Sequence, residues 1–208
     1  MLHRMKALAR RTAIMSNHRS RRPPERLRFD AANDVCAPPG EVLTSRDGTL
    51  LSIRPIRADD VAALQRGFAH LHVDEVRMRF LHTLAELSDP LAQRLCRLDP
   101  EQEIAFVLVD PPGVEEEPEI YGVARAYIDP NTDSAEFALI VQRRFTGQGF
   151  GSELLNRVID TCRARGVREI WGDVLTENHA MLDLCDEFGF RREGVFHDAA
   201  LTRVRLAI

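Results

Sequence analysis

The feature that most constrains the fold is a predicted strand, glycine-rich turn and helix that follow one another within residues 135–160. The apolar run AEFALIV predicts a buried strand, and the segment that ends in LLNRVID predicts an amphipathic helix. Between them, Gly147, Gly149 and Gly151 leave the backbone open to a ligand. The first turn of the helix has N–H groups without partners, so the segment predicts a site for a phosphate or pyrophosphate group.

Spacing excludes two other phosphate-binding loops. A dinucleotide-binding loop needs G-x-G-x-x-G and a P-loop needs G-K-[ST], whereas this turn reads G-Q-G-F-G-S and contains no lysine. Arg143 and Arg144 add positive charge beside the turn. At this point, an ordinary strand-to-helix turn that binds no ligand remains the alternative interpretation.

The pattern R-x-x-G-x-G that begins at Arg144 resembles the acyl-CoA pyrophosphate loop of the GNAT superfamily of N-acetyltransferases. The resemblance implies acetyl-CoA as co-substrate, no metal, and a pyrophosphate site formed by Arg143, Arg144, Phe145, Thr146, Gly147, Gln148, Gly149, Phe150, Gly151 and Ser152. It also implies that two neighbouring strands splay apart. The unpaired backbone groups there would bond the pantetheine arm, as an added strand would, at Leu139, Ile140 and Val141.

The rest of the chain alternates predicted strands and helices. Strands are predicted at residues 50–56, 104–109, 120–128, 135–141, 169–175, 190–195 and 201–208, and helices at 58–71, 74–80, 89–97 and 178–188 and after the glycine-rich turn. This order resembles the GNAT fold of the α/β (α+β) class. That fold is a mixed, mostly antiparallel sheet with helices on both faces and a splayed strand pair. The resemblance covers residues 43–208, which we predict to form one acetyltransferase domain.

Several segments resemble the catalytic domain of bacterial Pat-type protein lysine acetyltransferases. They are DGTLLSIRPIRADD, RMRFLHTLAELS, IAFVLV, AEFALIV and ENHAMLDLCDEFGF. The resemblance implies that the acceptor is the ε-amino group of a protein lysine, for example the active-site lysine of an AMP-forming acyl-CoA synthetase. Family members commonly carry an additional regulatory domain, and we expect none within these 208 residues.

Glu136 is the candidate general base. A lysine amine must lose its proton before it attacks a thioester, at a cost of about 4–5 kcal/mol near pH 7. Glu136 is the only ionisable residue in AEFALIV, and we expect its burial to raise its pKa. By resemblance, it occupies the position of the family's strand glutamate, which acts through a water. The alternatives are a solvent-facing carboxylate, a pair with Arg125, or a base at Glu177 or Asp173.

The expected general acid is missing. Many members of the superfamily carry a tyrosine in N-x-x-A-x-x-L-Y, where this chain has Cys185. A thiolate with a pKa of about 8.5 can leave unaided, so we interpret Cys185 as a buried packing residue. Asn178 is expected to cap the last helix and, by resemblance, to lie near the pantetheine arm. His179 is interpreted as a solvent-facing residue, with a proton shuttle as the alternative.

Residues 1–42 are predicted to be a basic, disordered N-terminal arm. Nine basic residues precede Phe29 against the single acid Glu25, although the net charge of the chain is −4. Nucleic acid, an anionic membrane or a transit peptide are alternative explanations of the arm. No aromatic residues interleave with its arginines, so we expect no nucleic-acid partner.

The four cysteines are scattered without a C-x-x-C pair, which indicates free thiols and a cytoplasmic protein. No apolar run approaches the roughly 20 residues of a membrane helix. The acidic remainder of the chain would suit a partner that presents cationic groups, although surface charge that only keeps the protein in solution is the favoured interpretation. Two other functions stay open: acetylation of a small-molecule amine, and a non-catalytic acyl-CoA-binding regulatory module. No pattern selects an acyl-chain length.

Overall fold

The computed structural model of the chain describes residues 40–81, 85–115, 117–195 and 198–208. The described strands are β1 Glu41–Thr44, β2 Leu50–Pro55, β3 Glu103–Val109, β4 Ile120–Asp129, β5 Ser134–Val141, β6 Glu169–Leu175, β7 Arg191–Val195 and β8 Asp198–Ala207. The described helices are α1 Val61–Ala69, α2 Val73–Phe80, α3 Asp89–Cys96, α4 Phe150–Ala164 and α5 His179–Glu187, with a 3₁₀ turn at Arg143–Phe145. Each predicted element is present, with ends shifted by up to three residues.

The strands form one sheet in the order β1-β2-β3-β4-β5-β6-β8-β7. Every neighbouring pair is antiparallel except β5 and β6, which are parallel. These two strands pair only from Ser134 with Glu169 to Glu136 with Trp171. Beyond that row, β5 continues to Val141 and β6 to Leu175 without pairing to each other. The predicted mixed sheet and its splayed strand pair are therefore confirmed.

Helices cover both faces of the sheet, as predicted. On one face, α4 packs its apolar stripe against β3, β4 and β5, with Leu154, Leu155 and Val158 almost completely buried. On the other face, α1 and α3 pack over β3 and β4 around Leu64, Ala92 and other buried residues. The two clusters use alternate residues of the same strands, because successive side chains of a strand point to opposite faces.

Strand β1 was not predicted from the sequence, and its first two residues fall in the segment assigned to the disordered arm. This corrects the predicted boundary, since the sheet includes Glu41. The strand is four residues long and mostly exposed, so its own apolar pattern is too weak to reveal it. Its conformation depends on antiparallel pairing with β2. Residues 1–39 of the predicted arm lie outside the described residues.

A buried ion pair joins β2 to α1 and explains the segment RPIRADD. Arg54 donates two hydrogen bonds of 2.7 Å to the carboxylate of Asp60, and both side chains are less than a tenth exposed. Asp60 also accepts from the backbone N–H of Arg57 at 2.7 Å. Removal of either partner would leave an unpaired buried charge. The pair therefore has a structural role, which is to fix the start of α1 against β2.

Candidate active site

A cleft of about 470 Å³ lies along the splayed end of β5, beside the opening between β5 and β6. Helix α5 bounds it beside the α4 face, and α2 bounds it on the other face. Eleven of the predicted site residues line this cleft: Leu139, Ile140, Val141, Arg143, Phe145, Thr146, Gly147, Gly149, Gly151, Ser152 and Asn178. The structure therefore brings the splayed part of β5, the glycine-rich turn and the start of α5 to one site.

The glycine-rich turn has the geometry of an anion-binding helix start. Gly147 and Gly149 have φ of +76° and +96°, which other residues rarely adopt. A Cβ built on either glycine meets nothing within 4 Å, so space beside the backbone is open. Gly149 is the N-cap of α4, and no side chain caps the helix there. The first N–H groups of α4 can therefore donate hydrogen bonds to a phosphate oxygen.

Four predicted site residues do not line the cleft: Glu136 of β5, and Arg144, Gln148 and Phe150 of the turn. The guanidinium of Arg144 lies over the rings of Tyr121 and Phe145, at 4.8 and 4.9 Å from their centroids. Gln148 donates to the carbonyl of Arg144 at 3.0 Å, and Phe150 is 2% exposed in the core. The three side chains of the turn contact other protein groups, whereas Arg143 lines the cleft and adds positive charge to it.

Glu136 lies on the last paired row of β5 and β6, where the opening begins. It is exposed, which corrects the expectation that it would be buried. The apolar neighbours Ala135 and Phe137 face α4, and the alternation of the strand turns Glu136 to the opposite face. The charge of Glu136 acts on two arginines on that face. Burial lowers the pKa of Arg79 to about 10, and Glu136 partly opposes this effect. The hydrogen-bonded carboxylate of Asp173 raises the pKa of Arg203, and Glu136 adds a smaller effect in the same direction.

The other residues considered for the role of base, or as a partner of Glu136, also form contacts within the protein. Asp173 accepts two hydrogen bonds of 2.7 Å from Arg203, and the Arg203 guanidinium lies 4.4 Å from the centroid of the Trp171 ring. Glu177 forms an ion pair with Arg77. Arg125 donates to the backbone carbonyl of Leu95. Asp173 and Glu177 are therefore occupied in ion pairs, as expected of structural residues.

At α5, Cys185 is completely buried and does not line the cleft. Burial raises the pKa of its thiol to about 12, with the charge of Asp186 adding to the effect. Asn178 accepts a hydrogen bond of 3.2 Å from the backbone N–H of Met181, so its predicted cap is present, and its side chain also borders the cleft. His179 is exposed outside the cleft.

Sequence reasoning missed the contribution of α2. Glu75 and Arg79 of this helix line the cleft, as does Arg46 from the β1–β2 turn. The carboxylate of Glu75 accepts from the backbone N–H of Arg143 at 2.7 Å and from that of His72, also at 2.7 Å. The H-x-x-E capping box is visible in the sequence, but the contact with Arg143 joins residues 68 positions apart.

A sheet that splays beside a glycine-rich helix start defines the class of acyl-CoA-dependent acyltransferases with this fold. Residues 68–190 match the model of the acetyltransferase (GNAT) family, which is more than half of the chain. The chain belongs to the GNAT family. It is therefore an acetyl-CoA-dependent N-acetyltransferase.

Three relatives illustrate the likeness. The chain is 29% identical over 164 residues to the acetyltransferase PA5475 of Pseudomonas aeruginosa, covering 78% of this chain and 86% of that protein. It shares the fold of the GNAT domain of S. lividans PAT with a TM-score of 0.72 and 21% identity, covering 81% and 97% of the two chains. It shares the fold of yncA from Salmonella typhimurium, solved with its cofactor acetyl-CoA, with a TM-score of 0.53 and 23% identity, covering 76% and 93%.

Two further observations concern the described part of the chain alone. None of its helices combines the length and apolar character that crossing a membrane requires. None of its His, Cys, Asp and Glu side chains come together in a group of three or more that could hold a metal ion.

Proposed function

We propose that this enzyme acetylates the ε-amino group of protein lysines, and that Glu136 is its general base. The position of Glu136 carries the proposal, because it stands on the row where β5 and β6 separate and is open to solvent. An exposed carboxylate at the end of the opening can be reached by a lysine on the surface of another protein. The likeness of several segments to Pat-type enzymes supports a protein acceptor.

The glycine-rich turn would bind the pyrophosphate of acetyl-CoA, through the N–H groups at the start of α4 and the charge of Arg143. The backbone of Leu139, Ile140 and Val141 would bond the pantetheine arm, because this part of β5 has no partner on the β6 side. These two contacts would hold the thioester at the opening.

The acceptor amine must be neutral when it attacks. Arg79 lies on the same face as Glu136 and would favour the neutral form of a nearby lysine, since a like charge disfavours an ammonium ion. Glu136 takes the proton, through a water, as the nitrogen bonds to the acetyl carbon. The carbon–sulfur bond then breaks, and coenzyme A leaves as a thiolate that solvent can protonate.

The decisive experiment incubates the enzyme with labelled acetyl-CoA and a purified AMP-forming acyl-CoA synthetase, followed by mass mapping of the modified sites. We expect modification at the catalytic lysine of the synthetase and loss of its adenylating activity. Lys6 is the only lysine of the enzyme, so label on the enzyme itself is confined to that side chain and the terminal amine. Label scattered over many surface lysines would reject the synthetase as a specific target, and label found only on added free amines would reject the protein-lysine acceptor.

A further inference from the structure

A second, smaller cavity of about 50 Å³ lies beside the cleft, on the face of the sheet that carries α1 and α3. Ile140 and Arg79 line both spaces and form the wall between them. The remainder of the lining is largely apolar and includes Leu64, Phe68, Leu71, Leu95 and Val123. The cavity therefore adjoins the splayed part of β5.

Two polar side chains of the lining, Tyr121 and Gln142, already form hydrogen bonds within the protein. The Tyr121 hydroxyl donates to Asp110 at 2.7 Å. The Gln142 amide donates to the carbonyls of Gly67 and Ile120 at 3.3 and 3.4 Å. A buried water molecule typically makes two to four hydrogen bonds. This lining offers it few polar partners. The cavity is thus suited to a hydrocarbon group.

Charge excludes a cationic occupant. Arg79 and Arg125 both line the cavity. Burial lowers the pKa of each guanidinium to about 10, and for Arg79 the charge of Arg125 lowers it too. Both residues stay charged near neutral pH and repel an ammonium ion. The side chain of an acceptor lysine is therefore a poor occupant.

We propose that this cavity receives the end of the acyl chain, so that the enzyme binds propionyl and butyryl thioesters more tightly than acetyl-CoA. The proposal rests on the acyl-CoA site proposed above, because the backbone of Ile140 is assigned to the pantetheine arm and its side chain lines the cavity. A volume of about 50 Å³ holds one or two groups the size of a water molecule, roughly 30 Å³ each. Transfer is otherwise unchanged: the amine nitrogen bonds to the acyl carbon, the thiolate leaves, and Glu136 removes the proton.

Calorimetry with acetyl-, propionyl-, butyryl- and succinyl-CoA tests the proposal without knowledge of the acceptor. We expect the Kd to fall about fourfold from acetyl- to propionyl-CoA, the gain for one buried methylene. Leu71→Phe fills the cavity and should bring the ratio of these two Kd values close to one. Leu91→Phe is the matched control, because Leu91 packs against the same apolar cluster without lining the cavity, and it should keep the wild-type ratio.

Leu71→Ala gives a second measurement if the phenylalanine variant does not fold. It enlarges the cavity, so the gain in affinity should extend to hexanoyl-CoA. A wild-type Kd for propionyl-CoA equal to or weaker than that for acetyl-CoA would overturn the proposal, as would a ratio unchanged by Leu71→Phe. If succinyl-CoA bound more tightly than butyryl-CoA, the cavity would prefer a carboxylate, and the proposal of a neutral acyl chain would be wrong. Binding of none of the thioesters would instead reject the acyl-CoA site itself.

Discussion

The two faces of the sheet differ in what their side chains do. The α4 face is a continuous apolar cluster in which Leu154, Leu155 and Cys162 have no exposed surface. The opposite face combines apolar packing with charge, including the arginines at positions 79 and 125 and the exposed Glu136. Both faces contain a buried apolar cluster, and the charged residues near the opening lie on the face opposite α4. The opening between β5 and β6 is the only place in the described sheet where strands that pair with each other then separate, so that a molecule can reach both faces.

The largest effect is expected on the apolar face. Leu155→Ala removes a completely buried side chain from the cluster under α4 and should lower the free energy of unfolding by about 2–5 kcal/mol. Leu50→Ala is the control, because Leu50 is 52% exposed and should change stability by less than about 0.5 kcal/mol. Urea denaturation followed by circular dichroism measures both. Equal losses in the two variants would contradict the assignment of Leu155 to the core under α4.

The glycine-rich turn should affect binding beyond the backbone strain that any side chain causes at a positive φ. Gly149→Glu places a negative side chain in the open space beside the start of α4 and should weaken acetyl-CoA binding about 100-fold or more through clash and like charge. Gly113→Glu is a matched control, since Gly113 also has a positive φ of +81° and an open Cβ position but does not line the cleft. Calorimetry on the folded variants decides, and unchanged affinity in Gly149→Glu would remove the turn from the site.

The charged face should affect turnover rather than binding. Glu136→Gln keeps the shape of the side chain but cannot accept the proton, so kcat should fall about 100-fold. The Kd for acetyl-CoA should stay within about twofold, because the binding contacts assigned to the backbone and the turn are retained. Glu101→Gln, at an exposed position, controls for the loss of one negative charge. A near-normal kcat in Glu136→Gln would transfer the role of base to another residue.

Local patterns were enough to predict the strand, turn and helix of the site. Alternating apolar residues, glycines that need a positive φ and a helical stripe each act within a few positions. The splay of β5 and β6 was expected only from resemblance to a family, because the separation depends on strands that are far apart in the sequence. The contact between Glu75 and Arg143 was missed for the same reason, because it joins residues 68 positions apart in the sequence.

The expectation that Glu136 would be buried failed for a definable reason. Its neighbours in the run AEFALIV are apolar, but alternate residues of a strand face opposite sides, so they say little about the environment of Glu136. Arg144 is a comparable case. A charge beside a glycine-rich turn was expected to face the ligand, yet the guanidinium of Arg144 lies over the aromatic rings of Tyr121 and Phe145.

The smallest expected effect concerns Cys185, and its measurement distinguishes a packing residue from a general acid. Burial raises the pKa of its thiol from 9.0 to about 12, so the folded protein favours the protonated thiol. That stabilisation is complete below the unfolded pKa and is lost as pH rises toward the folded one. Between about pH 8 and pH 10, wild type should therefore lose about 1 kcal/mol more of its free energy of unfolding than Cys185→Ala.

At neutral pH the Cys185→Ala variant should keep its kcat, since a thiol with so high a pKa and no contact with the cleft donates no proton to the leaving group. A kcat that falls with the loss of this thiol, in a variant that remains folded, would instead make Cys185 the missing general acid.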